Sequence, residues 1–206
     1  MKRLAILGAS GHGKVVADTA ECCGWQSVDF FDDAWPDLQH NGVWPVVGGT
    51  SALVERLANY DGVVVAIGNN RVRYEKLRQL QSAGGRLTTL IHPAATVSRY
   101  ANIEAGTVVF AGVVVNASAH VKQGVILNTG CSVDHDCVLG TAAHISPGAR
   151  LAGGVQVGDE SWVGIGASVR QLVKIGRCVV VGAGSAVVSD VLDNVTVAGV
   201  PAKRLR

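Results

Sequence analysis

Aromatic side chains are scarce in this chain, 5% of 206 residues, and net charge is scarcer: 18 Lys and Arg stand against 16 Asp and Glu. A formal charge of +2 is too small a footprint for nucleic acid or for an anionic membrane surface, and neither partner is expected. No apolar run approaches the roughly 18 residues a spanning helix needs, which excludes membrane insertion by a helix. The opening MKRLAIL has a leader's charge, but its apolar stretch at residues 4–7 is too short and runs into Gly-Ala-Ser-Gly-His-Gly. It reads as a first β-strand. Five cysteines, an odd number, do not make a paired framework, and a reduced cytoplasmic chain is the expectation. Gly/Ser-rich and Pro-rich linkers are missing as well.

What is abundant is glycine, 26 residues, together with a strict period. Every sixth residue from Ile91 to Val187 is Ile, Leu or Val, without a miss. Two places before these come small or β-branched residues such as Thr107, Ala119, Cys131, Cys137, Ala143, Ala149, Ser161 and Ser185. No α-helix has period six, and a flat sheet needs only period two. A six-residue repeat is the signature of a parallel β-helix, in which each hexapeptide forms one side of a three-sided coil. Asp193 interrupts the period, and residues 195–206 read as a tail.

Before residue 91 the pattern alternates. Strands are expected at 4–7, 28–31 and 62–67, and helices near 14–22, 51–59 and 71–81, an order that implies parallel βαβ units. The division is then 1–92 for an α/β domain and 93–206 for the coil with its tail. The helix at 71–81 carries Arg71, Arg73, Lys76 and Arg78, read as a solvated face with Arg71 the exception.

With three sides per coil, residues eighteen apart stack. His135 lies two after Val133, outside the inward register, so it points out between two small neighbours, Ala117 below and Gly153 above. Asp134 and Asp136 flank it. A carboxylate within reach of an imidazole fixes its tautomer and raises its basicity, as a general base requires. His120 and His144 also face outward, but the histidine spacing does not make a metal set, and no metal is expected. At the other end GASGHG follows a strand and opens a helix, so its amides can hold a phosphate. Asp32 and Asp33 end the second strand about twenty residues on, where a ribose hydroxyl is often bound. Too few strands follow for a full dinucleotide fold, which favours a mononucleotide or nucleotide-sugar diphosphate.

Taken together, GASGHG, the Asp-Asp pair, AIGNN (66–70), LIHP (90–93), VILNTGCSVDHDCVLG (125–140), HISPGA (144–149) and GVPAKRL (199–205) resemble the sialic-acid O-acetyltransferase-type sugar acyltransferases. Within that group the chain is most similar to the bacterial N-acetyltransferases of nucleotide-linked 4-amino sugars, the bacillosamine-pathway type. The resemblance implies a Rossmann-like α/β domain followed by a left-handed β-helix, assembled as a homotrimer with active sites between subunits. It implies an acetyl-CoA-dependent transfer to the amine of a nucleotide sugar, a UDP-4-amino-4,6-dideoxy sugar, for surface glycan synthesis; the alternative is O-acetylation of sialic acid or another sugar. His135 matches the catalytic histidine. Asp136 stands where the family has Glu, with Asp134 a substitute for its orienting role. His144, Gly153, Ile165, Gly182, Pro201 and Lys203 match positions along acetyl-CoA. Gly11, His12, Gly13, Asp32, Asp33, Asn69, Asn70 and Arg71 match the sugar-nucleotide site. Asn128 matches a motif position without an assigned role, and Leu7 replaces the aromatic residue that precedes the glycine-rich loop in the bacillosamine branch.

Overall fold

The computed structural model describes residues 2–205. The chain divides into two compact units, one ending at Pro93 and the other beginning at Ala94.

The first unit is built on three parallel strands in the order β2–β1–β5: β1 (Arg3–Leu7) at the centre, β2 (Ser27–Phe31) and β5 (Gly62–Val65) at its sides. Leu4, Ile6, Phe30 and Val64 are fully buried, as expected of a parallel sheet covered on both faces. A short antiparallel pair, β3 (His40–Asn41) with β4 (Trp44–Pro45), occupies the Pro- and Trp-containing loop. The described residues of the unit also form three α-helices, α1 (Gly11–Cys22), α2 (Thr50–Arg56) and α3 (Asn70–Ser82), with a 3-10 turn at Leu57–Asn59 after α2. Helix α1 starts three residues earlier than the apolar period predicts, so Gly11, His12 and Gly13 are its first turn rather than a loop before it. Gly13 permits this: a Cβ there would lie 2.5 Å from the Gly8 carbonyl oxygen. At α3 the Asn69 side chain accepts the Val72 amide at 3.0 Å, the usual cap for otherwise unpaired amides.

The second unit is a parallel β-helix of about six turns. Its two-residue strands stack into three ladders with an offset of eighteen. The first face runs from Thr96–Val97 through Val114–Val115, Ser132–Val133, Arg150–Leu151 and Ser168–Val169 to Ala186–Val187. The second runs from Asn102–Ile103 through His120–Val121, Val138–Leu139 and Gln156–Val157 to Lys174–Ile175. The third runs from Val108–Val109 through Ile126–Leu127, His144–Ile145 and Trp162–Val163 to Val180–Val181. Every member of the six-residue ladder from Val109 to Val187 is buried, with Val97 and Ile103 partly covered. Ile91, its first member, is 39% exposed and lies in the first unit. Cys131 and Cys137 are buried in the inward column, and burial pushes the Cys131 thiol up to about 12.

The last turn departs from the expected tail. Val180 pairs with Thr196 and Val181 with Val197, an offset of sixteen instead of eighteen. The register shortens by two residues between Val187, which still pairs at eighteen, and Val191, which bridges Ile175, and the coil continues. Thr196–Ala198 then takes an antiparallel partner, Lys203–Arg204. Among the described residues no helix is long and apolar enough to cross a membrane.

Candidate active site

His135 sits at the corner between the first and second faces. Its backbone carbonyl accepts the Gly154 amide at 2.8 Å, and the Asp136 amide donates to the Ala117 carbonyl at 3.2 Å. These ladder bonds stack Ala117, His135 and Gly153 in the order that the eighteen-residue offset predicts. The imidazole lies over Gly153: a Cβ on that residue would come within 2.5 Å of both Cε1 and Nε2. Only glycine leaves room for the ring in this position. Around Gly153 the ladder runs through the amides of Ala152, donating to Val169, and Gly154.

Asp136 Oδ2 lies 2.7 Å from His135 Nδ1. That contact, with smaller contributions from the charges of Asp134 and Asp136, raises the imidazole pKa above its ordinary value. The short arm of Asp136 reaches because its backbone is left-handed, with φ of +59°. Glycine takes the equivalent corner at residues 112, 130, 148, 154 and 166. Aspartate tolerates this region better than most residues, and here it turns the carboxylate back onto the ring beside it. Asp134 does not share the task. Its Oδ1 accepts the Asn116 side-chain amide at 2.7 Å and the His135 backbone amide at 2.8 Å, and these bonds, Asn116 first, hold its carboxyl below the usual range. Asn116 was not anticipated, although it lies eighteen residues before Asp134 and the coil offset points to it.

His144 lies elsewhere, on the third face. Its register is outward as expected, but it is only 6% exposed. The Trp162 ring stacks on it at 4.9 Å between centroids, with 21° between planes. Asn128 Nδ2 donates to His144 Nε2 at 3.1 Å, so this nitrogen is the acceptor. The indole of Trp162 donates to Ser146 Oγ at 2.6 Å. Gly182 follows Val180–Val181 on the same face, and Lys203 belongs to the strand that closes it. Ile165 follows Trp162–Val163 and Pro201 precedes Lys203; both are exposed. His120 pairs with Glu104 Oε1 at 2.7 Å on the second face. The outward histidines are thus spread over different sides of the coil. Among the described residues no three His, Cys, Asp or Glu side chains form a metal-ligand set.

In the first unit a cavity of about 310 Å³ opens at the carboxyl ends of β1, β2 and β5. Gly8, Ser10, Asp32, Asp33, Thr50 and Lys76 are among the residues lining it. This is where α/β sheets bind ligands, and the first turn of α1 carries no acidic residue to oppose an anion. Asp32 Oδ2 accepts the Ala9 amide at 2.7 Å and Oδ1 the Ala34 amide at 3.0 Å. Asp33 accepts the Thr50 amide at 2.7 Å, which holds its carboxyl below the usual range.

The basic residues of α3 correct the expectation for that helix. Arg73 is not solvated but 1% exposed; its guanidinium donates to the Ile67 and Gly68 carbonyls and to Asn70 Oδ1 at 2.8 Å. It ties down the turn after β5. Lys76 faces the cavity. Arg71 is exposed and pairs with Glu75 one turn along the helix. Asn69 serves the helix cap and Asn70 is buried against Arg73. His12 is depressed to about 4, first by burial and second by the charge of Arg73.

Residues 3–80 match a family model described as the PglD N-terminal domain. The acetyltransferase domain of PglB from Neisseria gonorrhoeae FA1090, solved in complex with acetyl coenzyme A, is 44% identical, covers 99% of each chain and has a TM-score of 0.95. PerB from Caulobacter crescentus, in complex with CoA and GDP-perosamine, is 39% identical over 100% of this chain and 98% of its own, also with a TM-score of 0.95. The UDP-N-acetylbacillosamine N-acetyltransferase of Bacillus subtilis (strain 168) is 38% identical over 114 residues. That match spans 54% of this chain and 52% of the relative, about half the length of each.

Proposed function

Because the chain belongs to the sugar acetyltransferase family, we propose that it transfers the acetyl group of acetyl-CoA to the amine of a nucleotide-activated amino sugar. His135 is the general base, and the observation that carries this is its ring, bonded at Nδ1 by Asp136 and seated over the bare backbone of Gly153. With Nδ1–H donating to the carboxylate, Nε2 is left free to accept a proton. The amine attacks the thioester carbonyl as His135 takes its proton. The N–C bond forms, the C–S bond breaks, and CoA leaves as the thiol with the proton returned to sulfur. The Gly153 amide is suited to polarise the thioester oxygen.

The residues expected along acetyl-CoA support a second part of the reading. His135 and Gly153 occupy the corner between the first and second faces, whereas His144, Gly182 and Lys203 belong to the third. One CoA molecule cannot run along the third face of a chain and present its thioester at the opposite corner of the same coil. A second copy resolves this, and we propose a homotrimer in which each site draws on two chains. The acceptor that fits the family best is a UDP-4-amino-4,6-dideoxy sugar destined for surface glycans, held by the first unit, in the cytoplasm where acetyl-CoA and nucleotide sugars are available.

The test is thiol release from acetyl-CoA across a panel of nucleotide 4-amino sugars. Release with at least one of them, lost in His135→Asn, supports the reading; release with none of them overturns it. Mixed oligomers of His135→Asn with a chain blocked on the third face (Gly182→Trp) should regain part of the activity if each site spans two chains.

A further inference from the structure

The corner that carries His135 also holds a residue to which neither the fold nor the chemistry described so far gives a role. Leu172 lies one turn above Gly154 and two above Asp136, at the eighteen-residue offset, and its amide donates to the Gly153 carbonyl at 3.0 Å. Its backbone is left-handed, with φ of +63°. Glycine takes the equivalent corners at 154 and 166, and among the described residues no other left-handed position holds a branched hydrocarbon side chain. A bulky side chain is disfavoured in this region. Burial does not offset the strain, because Leu172 is 73% exposed. The side chain instead leans down the coil: a Cβ on Gly154 would lie 2.7 Å from Leu172 Cδ2.

This places a hydrocarbon wall beside the reacting carbonyl. The carbonyl carbon of a thioester has three substituents in one plane, and the amine attacks from outside that plane, on the side of His135. The oxygen lies on the Gly153 amide, which donates to no other group among the described residues. The sulfur follows CoA onto the third face of a second copy. One in-plane direction is left for the acyl carbons. The His135 ring fills the ledge over Gly153, so the acyl group extends over Gly154, where Leu172 Cδ2 lies.

Resting on the reading of His135 and Gly153 as the acyl-transfer site, we infer that Leu172 is the end wall of the acyl slot and holds the donor to two carbons. A methyl group stops against Cδ2, and each further methylene overlaps it.

The test is thiol release by the full chain from acetyl-, propionyl- and butyryl-CoA, with the nucleotide 4-amino sugar that serves the wild type best. The wild type is compared with Leu172→Gly, Leu172→Ala and Leu172→Met, and the melting temperature of each is measured. The wild type should prefer acetyl- to butyryl-CoA by about a hundredfold in kcat/KM, about tenfold for each added methylene. Leu172→Gly should cut that ratio by at least about tenfold, with butyryl-CoA gaining and acetyl-CoA losing about threefold as its methyl loses a contact. Leu172→Ala should fall between the two, and Leu172→Met, of nearly the same volume, should keep the wild-type order. The melting temperature of Leu172→Gly should not drop, since glycine accepts this backbone freely. A wild type that takes butyryl-CoA as readily as acetyl-CoA overturns the inference. So does an unchanged ratio in Leu172→Gly, and so does an equal loss of all three donors, which would assign Leu172 to contact with the second copy. In those cases thiol release from acetyl-CoA by the wild type leaves the functional reading standing. If the wild type releases no thiol with any donor and acceptor, both fall.

Discussion

Two histidines, one in each unit, have had their proton affinities moved in opposite directions. His135 on the coil is open to solvent, and the carboxylate beside it raises its pKa. His12 in the α/β unit is enclosed next to Arg73, and exclusion of water lowers its pKa to about 4. At this corner of the coil the wall leaves the imidazole open to water, so its proton affinity is set by placing a neighbour. The α/β unit has two covered sheet faces and tunes by desolvation. The first route gives a base that can take a proton from a substrate. The second gives an imidazole that stays neutral throughout the physiological range.

Replacing His135 by Asn should lower kcat/KM by about 10²–10⁴-fold, the usual worth of a general base, with the melting temperature unchanged because the side chain is exposed. Turnover near wild type in a folded His135→Asn protein would remove the base from the mechanism. Gly153→Ala comes next, at about ten- to a hundredfold in kcat. The new Cβ displaces the ring rather than the backbone, so stability should hardly move; a large fall in melting temperature would instead mean that Gly153 serves the fold.

Asp136→Asn should cost about tenfold and also change the pH profile. The raised pKa puts the acid limb of kcat/KM above the ordinary imidazole value, since the base must be neutral. Loss of the carboxylate should move that limb down, and an unmoved limb would show that Asp136 does not set the basicity. The smallest effect belongs to His12. Below its unfolded pKa of roughly 6.5, the unfolded chain binds a proton that the folded chain refuses until pH is near 4. Stability is full above that window and falls within it as pH drops, by at most about 1.4 kcal/mol per pH unit. His12→Gln should flatten the dependence of melting temperature on pH between 6.5 and 4, while His135→Asn should leave it as it is.

The same contrast explains what the amino-acid sequence disclosed. In the coil, separation along the chain converts directly into position, and the stacking of Ala117, His135 and Gly153 was legible from arithmetic on eighteen. Asn116 below Asp134 was legible by the same rule. Burial on the outer wall was not: the period places His144 outward, but the Trp162 ring and Asn128 that cover it depend on side chains without a periodic signal. In the α/β unit no such conversion exists. The alternation of strands and helices disclosed the sheet and the Gly-rich turn, yet α3 offers four basic residues of similar spacing. Which of them enters the interior is decided by the carbonyls of Ile67 and Gly68, which need a donor where the turn leaves β5. That demand is tertiary, and Arg73 meets it.

A solenoid has an intrinsic hazard, since each turn is a template for the next and the last turn presents an open ladder to any chain with the same period. The two-residue shortening between Val187 and Val191 and the reversed strand Lys203–Arg204 bear on this. Reversal changes the spacing of donors and acceptors from the parallel to the antiparallel pattern, so a further eighteen-residue turn no longer finds its register. Two exposed cations on that rim repel a second copy arriving end-on. The closing segment thus limits the length of the stack, separating an enzyme of fixed size from a fibre built on the same repeat.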